Sequence, residues 1–328
     1  MLLMETTLRT LVAVLAVLGL SVAACASDDD GQPSTTSTES EPPGDDAALR
    51  IGFNKEENPE DDEPGGLFSV SMSGGDVVHL VTDPMAAALA WSPDRSRIAF
   101  HSAAAGDTDI YIANADGTDA RQLTGGPHRE AWPAWSPDGT RLLFERIFGP
   151  DRRDLFVINA DGTDEVRLTD RQGHDESASW SPDGTQIVFV SDRDDNPGDC
   201  DDDQSVPECN LEIYAIGSDG TDPRRITTNE SVEGFPRFSP DGNEIIFHSN
   251  RDDGDWEVYL MALDGSDQAN LTNRQGVDGH ACFTPDGTKI VLSSQRAGAA
   301  QPAIYTMSPD GTSVQLIPGT QSGSYPAC

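Results

Sequence analysis

The chain is 328 residues long and carries 57 Asp and Glu against 21 Lys and Arg, a formal net charge of −36. That balance excludes nucleic acid as a partner, because a phosphate backbone would be repelled, and it suits basic proteins, cationic ligands or simple solubility. One short apolar run and five cysteines set the remaining bounds.

The apolar run comes first. Leu11 to Leu20 follows Arg9 and leads into Val22-Ala23-Ala24-Cys25. It is too short for a comfortable membrane span and ends in small residues, so 1–24 is predicted to be an export signal. Small residues running into Cys25 resemble the bacterial lipobox. The resemblance implies cleavage before Cys25 and a diacylglyceryl thioether on its sulfur, anchoring the protein to the cell membrane or the outer membrane without spanning it. Segment 25–48 is acidic and rich in Ser, Thr, Pro and Gly. It is predicted to be a flexible tether that holds its domain ~25 Å from the bilayer.

From residue 49 a phrase repeats. It reads Trp91-Ser92-Pro93-Asp94, Trp135-Ser136-Pro137-Asp138-Gly139 and Trp180-Ser181-Pro182-Asp183-Gly184, then Phe238-Ser239-Pro240-Asp241-Gly242 and Phe283-Thr284-Pro285-Asp286-Gly287. The aromatic position steps by 44, 45, 58 and 45 residues, a period that signals a modular array. Around each copy the pattern gives four short strands, and no window outside the signal shows helical periodicity. Pro presets φ for the first turn position and Gly accepts a positive φ, so the innermost strand folds tightly onto the second. A second Asp-Gly at 116–117, 161–162, 219–220, 264–265 and 310–311 closes the third strand onto the fourth. The aromatic just before the first turn is expected in the core between units.

Four-stranded units at this period are propeller blades. Before Trp91 lie three strand patterns without an innermost one, and Ser324-Tyr325-Pro326-Ala327-Cys328 matches Ala131-Trp132-Pro133-Ala134-Trp135. The expectation is therefore an all-β, six-bladed propeller of four-stranded antiparallel blades over 49–328, with the C-terminal strand closing the ring in the N-terminal blade. This repeat resembles the propeller of the TolB-like family. The α/β domain that precedes the propeller in TolB has no counterpart here, its place being taken by the lipobox and tether.

Cysteines 200, 209, 282 and 328 remain after Cys25, and an exported chain allows three pairings among them. Cys200 and Cys209 share the loop that lengthens one step. Cys282 and Cys328 sit one residue out of phase on the last two innermost strands, and side chains alternate faces along a strand. Cys200–Cys209 and Cys282–Cys328 are the predicted bridges.

Tight turns fall on one face of the disc and variable loops on the other, where binding residues are expected. There Glu130, Asp175, Glu233 and Asp278 each stand five residues before the aromatic, a candidate carboxylate ring at the channel mouth. His174 and His280 lie nearby, with Trp132, Phe235 and Tyr325 three before the aromatic position. Such a set suits a basic peptide, a sugar or a metal. Arg193, Arg251 and Arg296, each thirteen after its aromatic, are expected to pair with acids of a neighbouring blade. The acidic run around 192–203 contains no EF-hand pattern, so Ca2+ or a transition metal is the lesser expectation and no cofactor the main one. No nucleophile elbow, phosphate loop or zincin helix occurs. The reading is a monomeric, non-catalytic cell-envelope lipoprotein that binds or scaffolds a protein or peptide partner. The alternative is a metal-assisted, lyase-like carbohydrate-active enzyme using the same carboxylates and histidines.

Overall fold

The computed structural model describes residues 49–55, 65–194, 210–252, 254–296, 299 and 301–328. The predicted signal, Cys25, the tether, and Cys200 with Cys209 lie outside the described residues. Among those described, no helix is long and apolar enough to cross a membrane.

The regular elements are β-strands in hairpin succession. The first sheet contains β1 (Arg50–Lys55), β2 (Gly66–Ser71) and β3 (Val78–Val81), with β24 (Gly323–Ala327) antiparallel to β1 at its inner edge. Next come β4 (Ala87–Trp91), β5 (Arg97–Ser102), β6 (Asp109–Asn114) and β7 (Arg121–Gln122). Two later sheets repeat this order. One comprises β16 (Glu233–Phe238), β17 (Glu244–Ser249), β18 (Glu257–Ala262) and β19 (Ala269–Asn270). The other comprises β20 (Asp278–Phe283), β21 (Ile290–Ser294), β22 (Ala303–Met307) and β23 (Gln315–Leu316).

The remaining strands correct the expectation of six four-stranded blades: among the described residues only four sheets are four-stranded. β8 (Arg129–Trp135), β9 (Arg141–Gly149), β10 (Arg152–Asn159) and β11 (Val166–Arg167) merge with β12 (Gly173–Trp180), β13 (Gln186–Ser191), β14 (Glu212–Gly217) and β15 (Arg224–Arg225) in one eight-stranded sheet. The join is a parallel pairing of β10 with β12, Arg152 opposite Gly173 and Arg153 opposite His174. It arises because residues 145–153 extend the β9–β10 hairpin until its tip reaches the next inner strand.

The repeated phrase works through the turns. In each, a hydroxyl donates to the Asp two residues on, 2.6 Å from Ser92 to Asp94, Ser136 to Asp138, Ser181 to Asp183, Ser239 to Asp241 and Thr284 to Asp286. The aromatic before each turn wedges against the preceding strands. Trp135 packs with Ala99, Ile110 and Ile112, and Trp180 with Leu143, Leu155 and Val157. Their indole N–H groups donate to Ala90 O at 3.2 Å and Ala134 O at 3.3 Å. Phe53, Phe144, Phe189 and Phe247 are among the largest fully buried side chains, each burial worth ~1.5–3 kcal/mol. Cys282 is bonded to Cys328 with Cα atoms 6.1 Å apart, tying the end of the chain to β20.

Candidate functional site

Every innermost strand carries a bulge, seen as a register shift against its hairpin partner in β4, β8, β12, β16, β20 and β24. Within it Ala88, Trp132, Ser177, Phe235, His280 and Tyr325 adopt left-handed backbone, φ between 49° and 55°. For residues other than glycine that conformation costs about 1–3 kcal/mol each and persists only where packing over-determines it. The four large side chains of this layer pack edge to face across the centre. Trp132 meets Phe235 at 4.9 Å and Tyr325 at 5.1 Å, and His280 meets Phe235 at 4.4 Å and Tyr325 at 4.3 Å. They form a septum across the channel, with Phe235, His280, Tyr325 and Ser177 lining cavities on both sides.

Above the septum lies a cavity of about 740 Å³. Its walls include His174, Glu176, His248, Trp256 and Arg153, with Val277 and Gln301 exposed at the rim. His248 stands 4.6 Å from Trp256 and 5.2 Å from His280. Burial pushes the His248 pKa down to about 3, and burial together with His248 and Arg237 holds that of His280 well below the ordinary value. Both rings are therefore neutral at physiological pH. His174 is fixed by its neighbours: its ring Nε2 lies 2.7 Å from Pro150 O, and its backbone N–H donates to Asp192 Oδ1 at 2.9 Å.

The four acids do not stand free at the mouth. Glu130, Asp175, Glu233 and Asp278 are each at most 3% exposed, and each is bound by an arginine. Arg146 reaches Glu130 at 2.7 Å, Arg193 reaches Asp175 at 2.6 Å, Arg251 binds Glu233, and Arg296 lies 3.6 Å from Asp278. The expectation that these arginines serve neighbouring blades is corrected, since each pair lies within one hairpin. Asp175, Glu233 and Asp278 face Ser191, Ser249 and Ser294 in register, and the arginine two residues further on folds back over the acid. Its Nε donates to that serine and its plane lies over ring faces of the same sheet, as Arg193 does 4.9 Å from both Phe189 and Tyr214. Only Glu233 and Asp278 also line the cavity.

Sequence spacing missed Arg146, which stands directly opposite Glu130 in the β8–β9 register but two positions earlier in its unit than the other three arginines. It also missed the cavity wall made by the fused sheet. There Arg153 donates to Glu176 at 2.6 Å, and Glu145, 1% exposed, accepts the Ser177 N–H at 2.5 Å. Burial and the adjacent Glu176 push the Glu145 pKa up to about 8. Among the described residues no three His, Cys, Asp or Glu side chains gather as a metal ion would require.

No protein-family profile matches the chain. It is 43% identical over 63 residues, 19% of its length, to an uncharacterized peptidase, YuxL, of Bacillus subtilis, of which the match covers 9%. It is 28% identical over 157 residues, 48% of its length, to a TolB homolog of Chlorobium luteolum, of which the match covers 32%. The chain thus spans a third or less of these curated relatives. Among solved structures, TolB from Acinetobacter baumannii superposes with a TM-score of 0.71 at 20% identity, over 86% of this chain and 67% of that one. Sequence and architecture together give this chain a TolB-like β-propeller fold.

Proposed function

We propose that the propeller is a non-catalytic recognition module whose upper cavity receives a segment of a protein partner. The observation that carries this reading is the division of labour around the cavity. The carboxylates that could act chemically are closed into arginine pairs, whereas Trp256, Phe235, Tyr325 and neutral His248 and His280 offer an aromatic lining with room for several side chains. Aromatic walls with a few fixed polar groups are the usual make-up of a binding pocket on a rigid scaffold, and the −36 charge favours a basic partner. A peptide-display selection against the protein should enrich segments whose binding falls at least about tenfold in Trp256→Ala and in Tyr325→Ala. Enriched segments that bind both variants as well as the native protein would move the site elsewhere.

The lyase-like alternative rests on the same acids and histidines. Their arginine partners, and the lack of a three-donor cluster among the described residues, favour the recognition module over it.

The module is read as an exported lipoprotein. Support comes from the Ala23-Ala24-Cys25 sequence and from a disulfide, which persists in oxidising compartments. Cys25→Ser should release the protein from the membrane fraction, and retention there would contradict the lipid anchor.

A further inference from the structure

Below the septum lies a second, smaller chamber of about 190 Å³. At ~30 Å³ per water it has room for a small ion and a few waters. Its wall is built from the residues between each bulge and each turn, so the position just before the repeated aromatic decides what faces it. That position is held by Ala90, Ala134, Ser179 and Ala327 on four of the inner strands, by Cys282 on β20, which lies outside the chamber lining, and by Arg237 on β16. The small residues leave the space, and the arginine extends into it.

Arg237 differs from the other channel arginines in having no counter-charge. Arg146, Arg193, Arg251 and Arg296 each meet a carboxylate. Among the described residues, no hydrogen bond, ion pair or ring contact engages the Arg237 guanidinium, although it is half-buried in the chamber wall. Burial lowers its pKa only to about 10, so it keeps its charge. The rest of the lining is Trp91, Trp132, Trp135, Phe235, Tyr325, Leu89, prolines, small residues and neutral His280. A guanidinium has five N–H donors and no acceptor, and a partly desolvated cation without a partner gains from a counter-charge. In a chain with 57 acidic residues, a carboxylate could readily have been supplied; here the space opposite the cation is left open instead.

We propose that the lower chamber is a binding site for a small anion, a carboxylate or an inorganic oxyanion, held by the Arg237 guanidinium among Trp91, Trp132 and Trp135. Such groups match the planar donor fork of arginine. The site is separate from the upper cavity and does not depend on the function proposed for it.

The three tryptophans supply the readout. Iodide, an anionic quencher, should quench the purified protein in two phases at constant ionic strength in fluoride. One phase is linear, from half-buried Trp256 in the upper cavity, and one saturates from the chamber. Acetate should compete with the saturating phase if the site prefers carboxylates; sulfate or phosphate should compete if it prefers oxyanions; either result supports the site. Arg237→Gln should weaken the saturating phase about tenfold or more, and Arg237→Lys should keep a weaker one. Neutral acrylamide should quench native protein and both variants alike, which verifies the fold. Purely linear iodide quenching of the native protein, or a saturating phase undiminished in Arg237→Gln, would overturn the proposal. If Arg237→Gln does not fold, competition in the native protein and the Arg237→Lys variant decide it.

Discussion

The propeller carries carboxylates toward both ends of its inner strands, and the two sets are held in opposite ways. In the turn set, Asp94 and Asp138 accept bonds from serine and threonine hydroxyls and from backbone N–H groups, which hold their pKa at about 2. In the mouth set, burial dominates and pushes Glu130 up to about 7 and raises Glu233 and Asp278, and it pushes the adjoining Glu145 on β9 up to about 8. The turn set is stabilised as anions by local donors that every repeat supplies. The mouth set is inserted into a low-dielectric interior and depends on specific cations. Repetition thus builds the scaffold, and departures from it mark where the molecule is specialised.

The largest effect expected from this difference is at a mouth pair. Arg251→Met removes a guanidinium that lies over Phe247 and Tyr259 and leaves Glu233 buried without its cation, and should cost about 3–5 kcal/mol in urea unfolding. Replacing both partners by methionine should recover most of that loss. At the turn end, Arg97→Met removes a guanidinium stacked 4.4 Å from the Trp135 ring and should cost about 0.5–1 kcal/mol. Equal losses at the two ends would erase the distinction.

A smaller effect separates the two sets by pH. Glu145 holds its proton in the folded state up to about 8, against an ordinary 4.5. Between those values the folded state binds more protons than the unfolded chain, and stability falls as pH rises. Asp94 and Asp138 have the reverse sign: their stabilisation is full above 3.8 and is lost as pH falls toward 2. Stability measured by thermal unfolding should therefore peak at roughly pH 4–5, with Glu145→Gln flattening the decline between pH 5 and 8. A Glu145→Gln curve parallel to the native one would remove Glu145 from the account.

The repeat made the strands, turns and wedge aromatics legible because turn chemistry is local: Ser-Pro-Asp-Gly dictates its own hydrogen bonds. The acids were legible by alignment, but their environment was not, since Arg146 meets Glu130 through strand register rather than through its position in the unit. The left-handed bulge that turns Trp132, Phe235, His280 and Tyr325 toward the axis has no spelling of its own; Gly, the usual marker of positive φ, is absent at these positions. The merger of β10 with β12 was hidden for a similar reason, because only the length of the β9–β10 hairpin brings Arg152 and Arg153 alongside Gly173 and His174. Arg237 is the one long cation in a column of small residues, and sequence alone did not single it out because its meaning needs the chamber it faces.

The recognition reading rests on the upper cavity, and two exposed valines test it. Val277 stands at the cavity rim and is 47% exposed, while Val166, on the short outer strand β11, is 52% exposed. A photo-crosslinking amino acid placed at each in turn, in cells that make the protein, probes the two surfaces at similar exposure. The account predicts a discrete protein adduct from position 277 that is missing from position 166 and lost when Trp256→Ala is added. No adduct from 277, or the same adduct from both positions, would contradict it.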